Sequence, residues 1–188
     1  MRCVSDWNER YRSQGCDQTE PEPLLVRYAG LHAPDRALDL ACGAGRNAIF
    51  LARTGWHVTA VDSAPAAIEL LRSRAGEDCA RIDARIADLE RGEFSIEPDG
   101  YALIGDFFYL QRSLFPQIRH GVRRGGLFVA TIHMFDDSPG VRPMNPDFLL
   151  QPDELKAAFA GWEILHYIER KQAENQRRRA ELAARRID

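Results

Sequence analysis

The chain contains few cysteines, and they are not arranged in pairs. Its 188 residues include four of them, Cys3, Cys16, Cys42 and Cys79, and no Cys-x-x-Cys motif. No spacing of cysteines with histidines is typical of a metal site either. Scattered cysteines in a chain of this size argue against a disulfide framework and indicate a reducing compartment. We therefore expect a cytoplasmic protein that holds no structural metal.

The sequence also lacks a long apolar run and an excess of positive charge. The first ten residues contain no apolar stretch of signal-peptide length, and no segment approaches the length of a membrane span. The net charge is −3, so the chain lacks the positive charge typical of nucleic-acid-binding proteins. These features favour a single-domain protein, a monomer or homodimer, that acts on small molecules and not on nucleic acid or membranes.

From residue 37 onwards, short buried strands alternate with amphipathic helices, and one helix precedes them. This alternation predicts an α/β fold that is Rossmann-like and doubly wound, with a mostly parallel seven-stranded sheet and helices on both faces. Ser63 is expected to cap a helix and Gly55 to end one. Strands are expected at 37–40, 57–61, 80–87, 101–107, 127–133 and 162–168, and helices at 24–31, 47–54, 65–74, 114–122 and 152–159. The charges that alternate along 80–87 indicate a strand near a sheet edge, and Gly125 and Gly126 are expected to turn the chain into the fifth strand.

Three other segments are less regular. Residues 1–34 are expected to form a partly helical lid, since Trp7 and Tyr11 lie close together in a polar stretch. The segment 134–151 is long for a compact domain, which favours a functional loop that forms one wall of a binding site. Residues 169–186 are rich in helix formers, yet a strand at 180–184 would complete the sheet beside the sixth strand. We favour the strand.

The turn after the first strand, DLACGAGRN at 39–47, carries the first chemical motif. Its glycines would let the main chain approach a ligand, although small residues also form tight turns with nothing bound. Asp39 would repel a pyrophosphate, so it argues against a dinucleotide. It suits a ligand with a positive group, such as the amino group of a methionine moiety. A carboxylate that caps the following turn is the simpler alternative.

Two further acids follow the next two strands. Asp62 can accept hydrogen bonds from both hydroxyls of a ribose, and Asp88 from the exocyclic amine of adenine beside the Leu89 main chain. Alternatively, Asp62 caps a helix and Asp88 is an ordinary loop acid. Because ligands of such folds bind at the carboxyl ends of the strands, three acids at consecutive strand ends predict a site more specifically than any one of them.

With these motifs the chain resembles the class I S-adenosylmethionine (SAM)-dependent methyltransferases over residues 37–168. The segment DLACGAG at 39–45 is similar to their first motif, with Ala41 where a glycine is common. Within that superfamily the chain is most similar to the bacterial tellurite-resistance-type methyltransferases. The segments that carry this second resemblance are WNERY at 7–11, CGAGRN at 42–47, YLQRSLF at 109–115 and NPDFLL at 145–150.

The resemblance implies SAM as the cofactor and S-adenosylhomocysteine as its product. It also implies that Asp62 binds the ribose, Asp88 the adenine, and that Asp106 lines the methyl and methionine end. The full set of expected cofactor-binding residues is Trp7, Tyr11, Asp39, Ala41, Cys42, Gly43, Gly45, Arg46, Asn47, Asp62, Ser63, Asp88, Leu89, Asp106 and Phe107.

Catalytic candidates lie after the fourth and fifth strands. His133 can take a proton from the acceptor, or it is structural. Arg112 and Arg142 can hold an anionic acceptor, or they are paired or solvated. Transfer is expected to be a direct displacement to an oxyanion, a thiol or another small metabolite, in which positioning and exclusion of water supply much of the catalysis. The expected catalytic residues are Asp106, Tyr109, Arg112 and His133, with Phe107 and Arg142 in the same acceptor pocket.

Two other functions stay open at this point. A nicotinamide-dependent oxidoreductase is disfavoured because Gly45 is not part of a Gly-x-Gly-x-x-Gly turn. A non-catalytic protein that binds SAM or a nucleotide would share the same fold and motifs. An RNA or DNA methyltransferase is less consistent with the sequence, since DFFY at 106–109 differs from the Asp/Asn-Pro-Pro-Tyr pattern of enzymes that methylate amino nitrogens.

Overall fold

A computed structural model describes residues 4–14, 18–171, 173 and 176–188, so Cys3 and Cys16 lie outside the described residues. None of the described helices is long and apolar enough to cross a membrane. The helices are α1 Val4–Gln14, α2 Pro23–Ala29, α3 Arg46–Arg53, α4 Pro65–Ala75, α5 Leu114–Gly121 and α6 Glu154–Ala158. The strands are β1 Arg36–Leu40, β2 His57–Asp62, β3 Ile82–Ile86, β4 Tyr101–Phe107, β5 Val122–His133, β6 Glu163–Arg170 and β7 Arg179–Arg185.

The seven strands form one sheet in the order β3-β2-β1-β4-β5-β7-β6. Strands β1 to β5 pair in parallel, whereas β7 is antiparallel to both β5 and β6. The prediction of a mostly parallel seven-stranded sheet is therefore confirmed. So are the strand near the end of the chain and the edge position of the third strand. The strand order reverses between β1 and β4, which is where open α/β sheets bind their ligands.

Both faces of the sheet are covered, which explains why the central strands are apolar along most of their length. Apolar side chains of α2, α3 and α4 pack on one face, around the fully buried Trp56. Those of α5 and α6 pack on the other face, where the rings of Phe128 and Phe159 stack at 4.4 Å. All seven residues of β4 are buried. Because β4 is clamped from both sides, its carboxyl end is a rigid support for Asp106.

The sequence predicted the residue that ends α3 but not the residue that caps the start of α4. Gly55, with φ +100°, ends α3 as predicted, and its N–H donates to Ala52 O at 3.0 Å. The prediction that Ser63 caps α4 is wrong. The N-cap position is occupied by Ala64, which has no side-chain acceptor. Asp62 Oδ1 instead accepts from the Ala64 N–H at 2.9 Å.

The segment between α5 and β5 also departs from expectation. The helix ends at Gly121, and Val122, expected in the helix, lies opposite Tyr101 as the first residue of β5. The register then shifts, because Leu103 pairs with Leu127. The predicted turn at Gly125 and Gly126 is therefore a bulge inside a long strand. Gly125 permits it with φ +79°.

Candidate functional site

Two buried acids lie near the carboxyl ends of the neighbouring strands β1 and β4. Asp39 of β1 is 2% exposed and Asp106 of β4 is 1% exposed. In the parallel register Asp39 is opposite Gly105, and Leu40 is opposite Asp106. Among the described residues, Asp39 Oδ2 and Asp106 Oδ1 have no hydrogen-bond partner. Buried carboxylate oxygens without partners are rare in folded proteins, so this point of the sheet is suited to a ligand that donates hydrogen bonds.

The same burial controls the charge of these acids. Desolvation raises the pKa of Asp39 to about 7, although the positive charge of Arg46 and a hydrogen bond from the Ala48 N–H oppose it. Desolvation, together with the charge of Asp39, raises the pKa of Asp106 well above its ordinary value. A cationic group close to these acids would favour their charged forms. The site is thus electrostatically matched to a positive ligand.

The turn between β1 and α3 combines three residues in the left-handed region: Ala41 at φ +49°, Gly43 at φ +55° and Gly45 at φ +82°. A Cβ on Gly43 would lie 2.5 Å from Tyr11 Oη, and one on Gly45 would overlap the Leu71 side chain. Glycine is therefore required at both positions. The neighbouring Cys42 thiol is buried, and desolvation raises its pKa, so it stays neutral.

Asp62, at the end of β2, fastens this turn. Its Oδ2 accepts from the Gly43 N–H at 2.8 Å and its Oδ1 from the Ala64 N–H at 2.9 Å. Desolvation raises the pKa of Asp62 despite these bonds and one from the Ser63 N–H. The alternative interpretation as a cap is thus partly supported. Each carboxylate oxygen has a second lone pair, so the group can still accept from a ligand.

Asp88 lies two residues beyond β3 and closes its own turn. Its Oδ1 accepts from the N–H groups of Glu90 at 2.9 Å and Arg91 at 3.3 Å. These contacts are those of an ordinary loop acid, and the assignment of Asp88 to adenine stays a prediction. Leu89 is buried, and its carbonyl accepts from the Gln111 side chain at 3.1 Å.

The expected ligand-binding residues Arg46 and Asn47 contact protein groups from the N-terminal segment. Arg46 Nη2 pairs with Glu22 Oε1 at 2.6 Å, and Arg46 Nη1 donates to Glu20 O at 3.2 Å. Asn47 Oδ1 accepts from the Glu22 N–H at 2.9 Å. These bonds fasten the 20–22 segment to the start of α3. Sequence reasoning missed Glu22, because no local pattern marks an acid whose partner lies 24 residues away.

Helix α1 lies across the glycine turn. The Tyr11 hydroxyl is next to Gly43, and the Trp7 ring is 6.4 Å from the Tyr11 ring. Asn8 Oδ1 accepts from the Ala66 N–H at 2.9 Å, which joins α1 to the start of α4. The structure therefore brings Trp7 and Tyr11 to the predicted site. It adds Asn8, which sequence reasoning used only as part of a family motif.

Tyr109 follows the end of β4, and several acids near the strand ends affect the pKa of its hydroxyl. Desolvation raises the pKa of its hydroxyl, and the negative charges of Glu90, Asp106, Asp88 and Asp62 raise it further. The hydroxyl donates to Gln111 Oε1 at 2.6 Å. Acids of β2, of β4 and of the 88–90 turn therefore act electrostatically on the same phenol. Tyr109 stays protonated, which leaves it a donor and not a base.

The residues after β4 and along β5 form the neighbouring wall. Phe107 is buried, whereas Phe108 has φ +64° and its ring lies 5.1 Å from the His133 ring. Desolvation lowers the pKa of His133 to about 4, with smaller effects of Arg179 and Arg177, so the imidazole is neutral. Within the described part of the chain, His133 Nδ1 and the buried Thr131 hydroxyl lack hydrogen-bond partners. Because side chains two residues apart in a strand lie on the same face, the candidate His133 would have indicated Thr131 as its neighbour.

The two arginines predicted beside the acceptor differ in their contacts. Arg112 forms a bidentate ion pair with Glu154 at 2.5 and 3.0 Å and donates to the carbonyls of Asp147 at 2.7 Å and Leu149 at 3.0 Å. It is therefore paired, as one of its two interpretations anticipated, and it holds the end of the 134–151 loop. Arg142 is exposed on that loop, and its carbonyl accepts from Arg177.

Comparison with known proteins agrees with this architecture. The profile of one protein family, described as tellurite resistance protein TehB, matches residues 8–185. The chain is 29% identical over 167 residues to a probable S-adenosyl-L-methionine-dependent methyltransferase TehB of Haemophilus influenzae, covering 86% of this chain and 57% of the relative. It is 31% identical over 140 residues to hemagglutinin 1 of Eikenella corrodens, covering 73% of this chain and 47% of the relative.

A solved structure gives the same result. The crystal structure of TehB from Haemophilus influenzae superposes with a TM-score of 0.77 at 26% identity, covering 95% of this chain and 67% of that one. The chain spans about half the length of the curated relatives it matches. The resemblance to class I SAM-dependent methyltransferases of the tellurite-resistance type is confirmed. The family match covers nearly the whole chain, and the chain belongs to the TehB family of tellurite resistance proteins.

Proposed function

We propose that this chain transfers the methyl group of SAM to a small-molecule acceptor by direct displacement. The observation that carries the proposal is the acidic space around the glycine turn, where two buried carboxylate oxygens lack partners among the described residues. SAM fits this set of acceptors, because it carries two positive groups and a ribose with two hydroxyl donors. When bound, it supplies a methyl group that its sulfonium has already activated.

Each strand end takes one part of the cofactor in this proposal. The main chain of 41–45 and the carboxylates of Asp39 and Asp106 bind the amino-acid end and the positive charge. Asp62 accepts from the ribose hydroxyls, and Asp88 with Leu89 binds the adenine. Trp7 and Tyr11 cover the turn. Arg46, Asn47 and Ser63 support the site by holding its neighbouring segments in place.

The acceptor is proposed to bind between the end of β4 and the end of β5. Phe107 and Phe108 exclude water on one side. The neutral His133 imidazole can accept a hydrogen bond or a proton from the acceptor. Tyr109 contributes a donor, and Arg112 positions the loop that contains Arg142. Catalysis then consists largely of orientation and water exclusion, so no acid–base pair is required. An oxyanion, a thiol and another small metabolite are the acceptor classes to be tested.

The chemistry of the site favours SAM over a nicotinamide dinucleotide. A pyrophosphate near the buried Asp39 and Asp106 would oppose the ionisation of these acids still further, whereas a cationic group favours it. A cytoplasmic location and a monomeric or homodimeric state stay predictions of the sequence.

Two assays in sequence test the proposal. Calorimetric titration of the full chain with SAM is expected to show one site per chain. Release of S-adenosylhomocysteine is then measured with a panel of oxyanions, thiols, phenols and amines. Turnover with at least one member supports the proposal, and His133→Ala is expected to lower kcat more than it raises KM for SAM. Tight SAM binding without turnover of any acceptor would instead favour a non-catalytic SAM-binding protein.

A further inference from the structure

The start of α4 has a backbone donor that its own segment does not satisfy. Pro65 has no N–H, and those of Ala67 and Ile68 donate to Ala64 O at 3.0 and 3.3 Å. The remaining donor is the N–H of Ala66, a residue only 4% exposed. The Ala64 side chain cannot cap it, and no side chain of the helix does so. A buried N–H without an acceptor is costly, so its partner matters for the position of this turn.

That partner comes from another helix. Asn8 Oδ1 of α1 accepts the Ala66 N–H at 2.9 Å, across 58 residues of sequence. Asparagine is among the residues best suited to receive such an N-terminal N–H, and here it does so from outside the helix. The two helices are therefore joined by a hydrogen bond that neither could replace from its own residues.

The same face of α1 covers the glycine turn. Asn8 and Tyr11 are three residues apart on α1, so their side chains lie on neighbouring positions of one helix face. Tyr11 Oη occupies the space that a Gly43 Cβ would need. The hydrogen bond from the Ala66 N–H to Asn8 thus restrains the rotation of α1 about its axis and its position relative to α4. Tyr11, on the same helix, is thereby placed over this turn.

The receiving turn also carries the acid assigned to the ribose. Asp62 Oδ1 accepts from the Ala64 N–H at 2.9 Å, two residues before Ala66, and Asp62 Oδ2 accepts from Gly43 at 2.8 Å. Residues 62–66 therefore connect helix α1, which covers the site, with the glycine turn and the Asp62 carboxylate. Release of Asn8 would leave the Ala66 N–H without its acceptor and would loosen the placement of Tyr11 over Gly43.

We propose that Asn8 is a positioning residue: it caps α4 from α1 and thereby holds Tyr11 over the cofactor turn. This inference rests on the proposed function, since it concerns the site assigned to SAM. In this proposal Asn8 acts through α4 and Tyr11 and not by direct contact with the cofactor or the acceptor. Its effect is on the affinity for the adenosyl ligand and on the protection of α1, and not on the chemical step.

Three variants of the full chain test the inference. Asn8→Ala removes the acceptor, Asn8→Asp keeps an oxygen at the same place, and Glu9→Ala changes an exposed neighbour on the same helix. We expect Asn8→Ala to weaken SAM binding and raise KM for SAM by about fivefold, the factor typical of one lost hydrogen bond. The kcat at saturating SAM should stay within about twofold. Asn8→Asp should restore the affinity, and Glu9→Ala should match the wild type.

Hydrogen exchange of the ligand-free chain separates this inference from the proposed function. Exchange of the Ala66 amide and of the α1 amides should be about fivefold faster in Asn8→Ala and normal in Asn8→Asp. If the wild type bound no SAM while this exchange pattern appeared, the proposed function would fail and the cap would stand. The inference is overturned if Asn8→Ala leaves exchange unchanged, if its SAM affinity equals that of a wild type that binds, or if Asn8→Asp does not rescue.

Discussion

Replacement of Asp62 is expected to lower both the stability of the chain and its affinity for SAM, and the two losses follow from different hydrogen bonds of the carboxylate. In the folded chain the carboxylate accepts from Gly43 at 2.8 Å and from Ala64 at 2.9 Å. A hydrogen bond to a charged group contributes about 1.5–3 kcal/mol, and burial already opposes the charged form of this acid. We therefore expect Asp62→Ala to lose about 3 kcal/mol of unfolding free energy, the lower end of the range of about 3–6 kcal/mol for two such bonds.

The loss of SAM affinity should be separable from this loss of stability. Two ribose hydroxyls bound to the carboxylate at about 1.5 kcal/mol each correspond to a factor of about 100 in the dissociation constant. Asp62→Asn keeps one carbonyl acceptor and the side-chain volume, so a factor of about 10 is expected. Asp83→Ala is the matched control, since Asp83 is an exposed acid of the neighbouring strand that pairs with Arg85 at 2.6 Å.

Calorimetry on samples shown to be folded by circular dichroism and urea titration measures both quantities. The expected order of affinity is wild type and Asp83→Ala together, then Asp62→Asn, then Asp62→Ala. A folded Asp62→Ala protein that binds SAM within about threefold of the wild type would refute the assignment of the ribose to this acid.

Three further perturbations probe other parts of the account. Ala41→Gly should raise the unfolding free energy by about 0.5–1 kcal/mol in urea titrations, because Ala41 holds a left-handed φ of +49°; a decrease would contradict this. Arg112→Ala should speed proteolysis at 147–149 and leave SAM affinity unchanged; weaker SAM binding with normal protection would argue against its role in holding the loop. Burial raises the pKa of Asp39 to about 7, so the folded chain keeps its proton up to about this pH. The unfolded chain has already released the same proton above about pH 4. The unfolding free energy of the wild type should therefore fall relative to that of Asp39→Asn as pH rises through this range, and a constant difference would refute it.

Strands were predictable from sequence where the polar and apolar residues alternate regularly or form one uninterrupted apolar run. The alternating charges of 80–87 predicted the edge strand β3, and the apolar run at 101–107 predicted the central strand β4 with the observed bounds. The strand at the end of the chain was favoured over a helix because the sheet needed a seventh member. Its antiparallel pairing with both β5 and β6 was found only in the structure.

The parts that could not be predicted depend on contacts between distant residues. The sequence left open whether Arg112 holds an acceptor or is paired, and it did not identify the partners, which are Glu154 and two carbonyls 35 and 37 residues away. Ser63 had the residue type of a cap, whereas Asp62 and Asn8 supply the acceptors. Such pairs cannot be predicted from the local sequence, because the tertiary structure determines which donor lies next to which acceptor. The candidate acids were identifiable because the topology itself places strand ends together.

A crystal structure of the chain with S-adenosylhomocysteine tests the central claim most directly. The account predicts ribose hydroxyls within about 3 Å of the Asp62 carboxylate, the amino-acid end against residues 41–45, and Tyr11 over the ligand. A ligand bound elsewhere, or bound here with Asp39, Asp62 and Asp106 all directed away from it, would contradict the account.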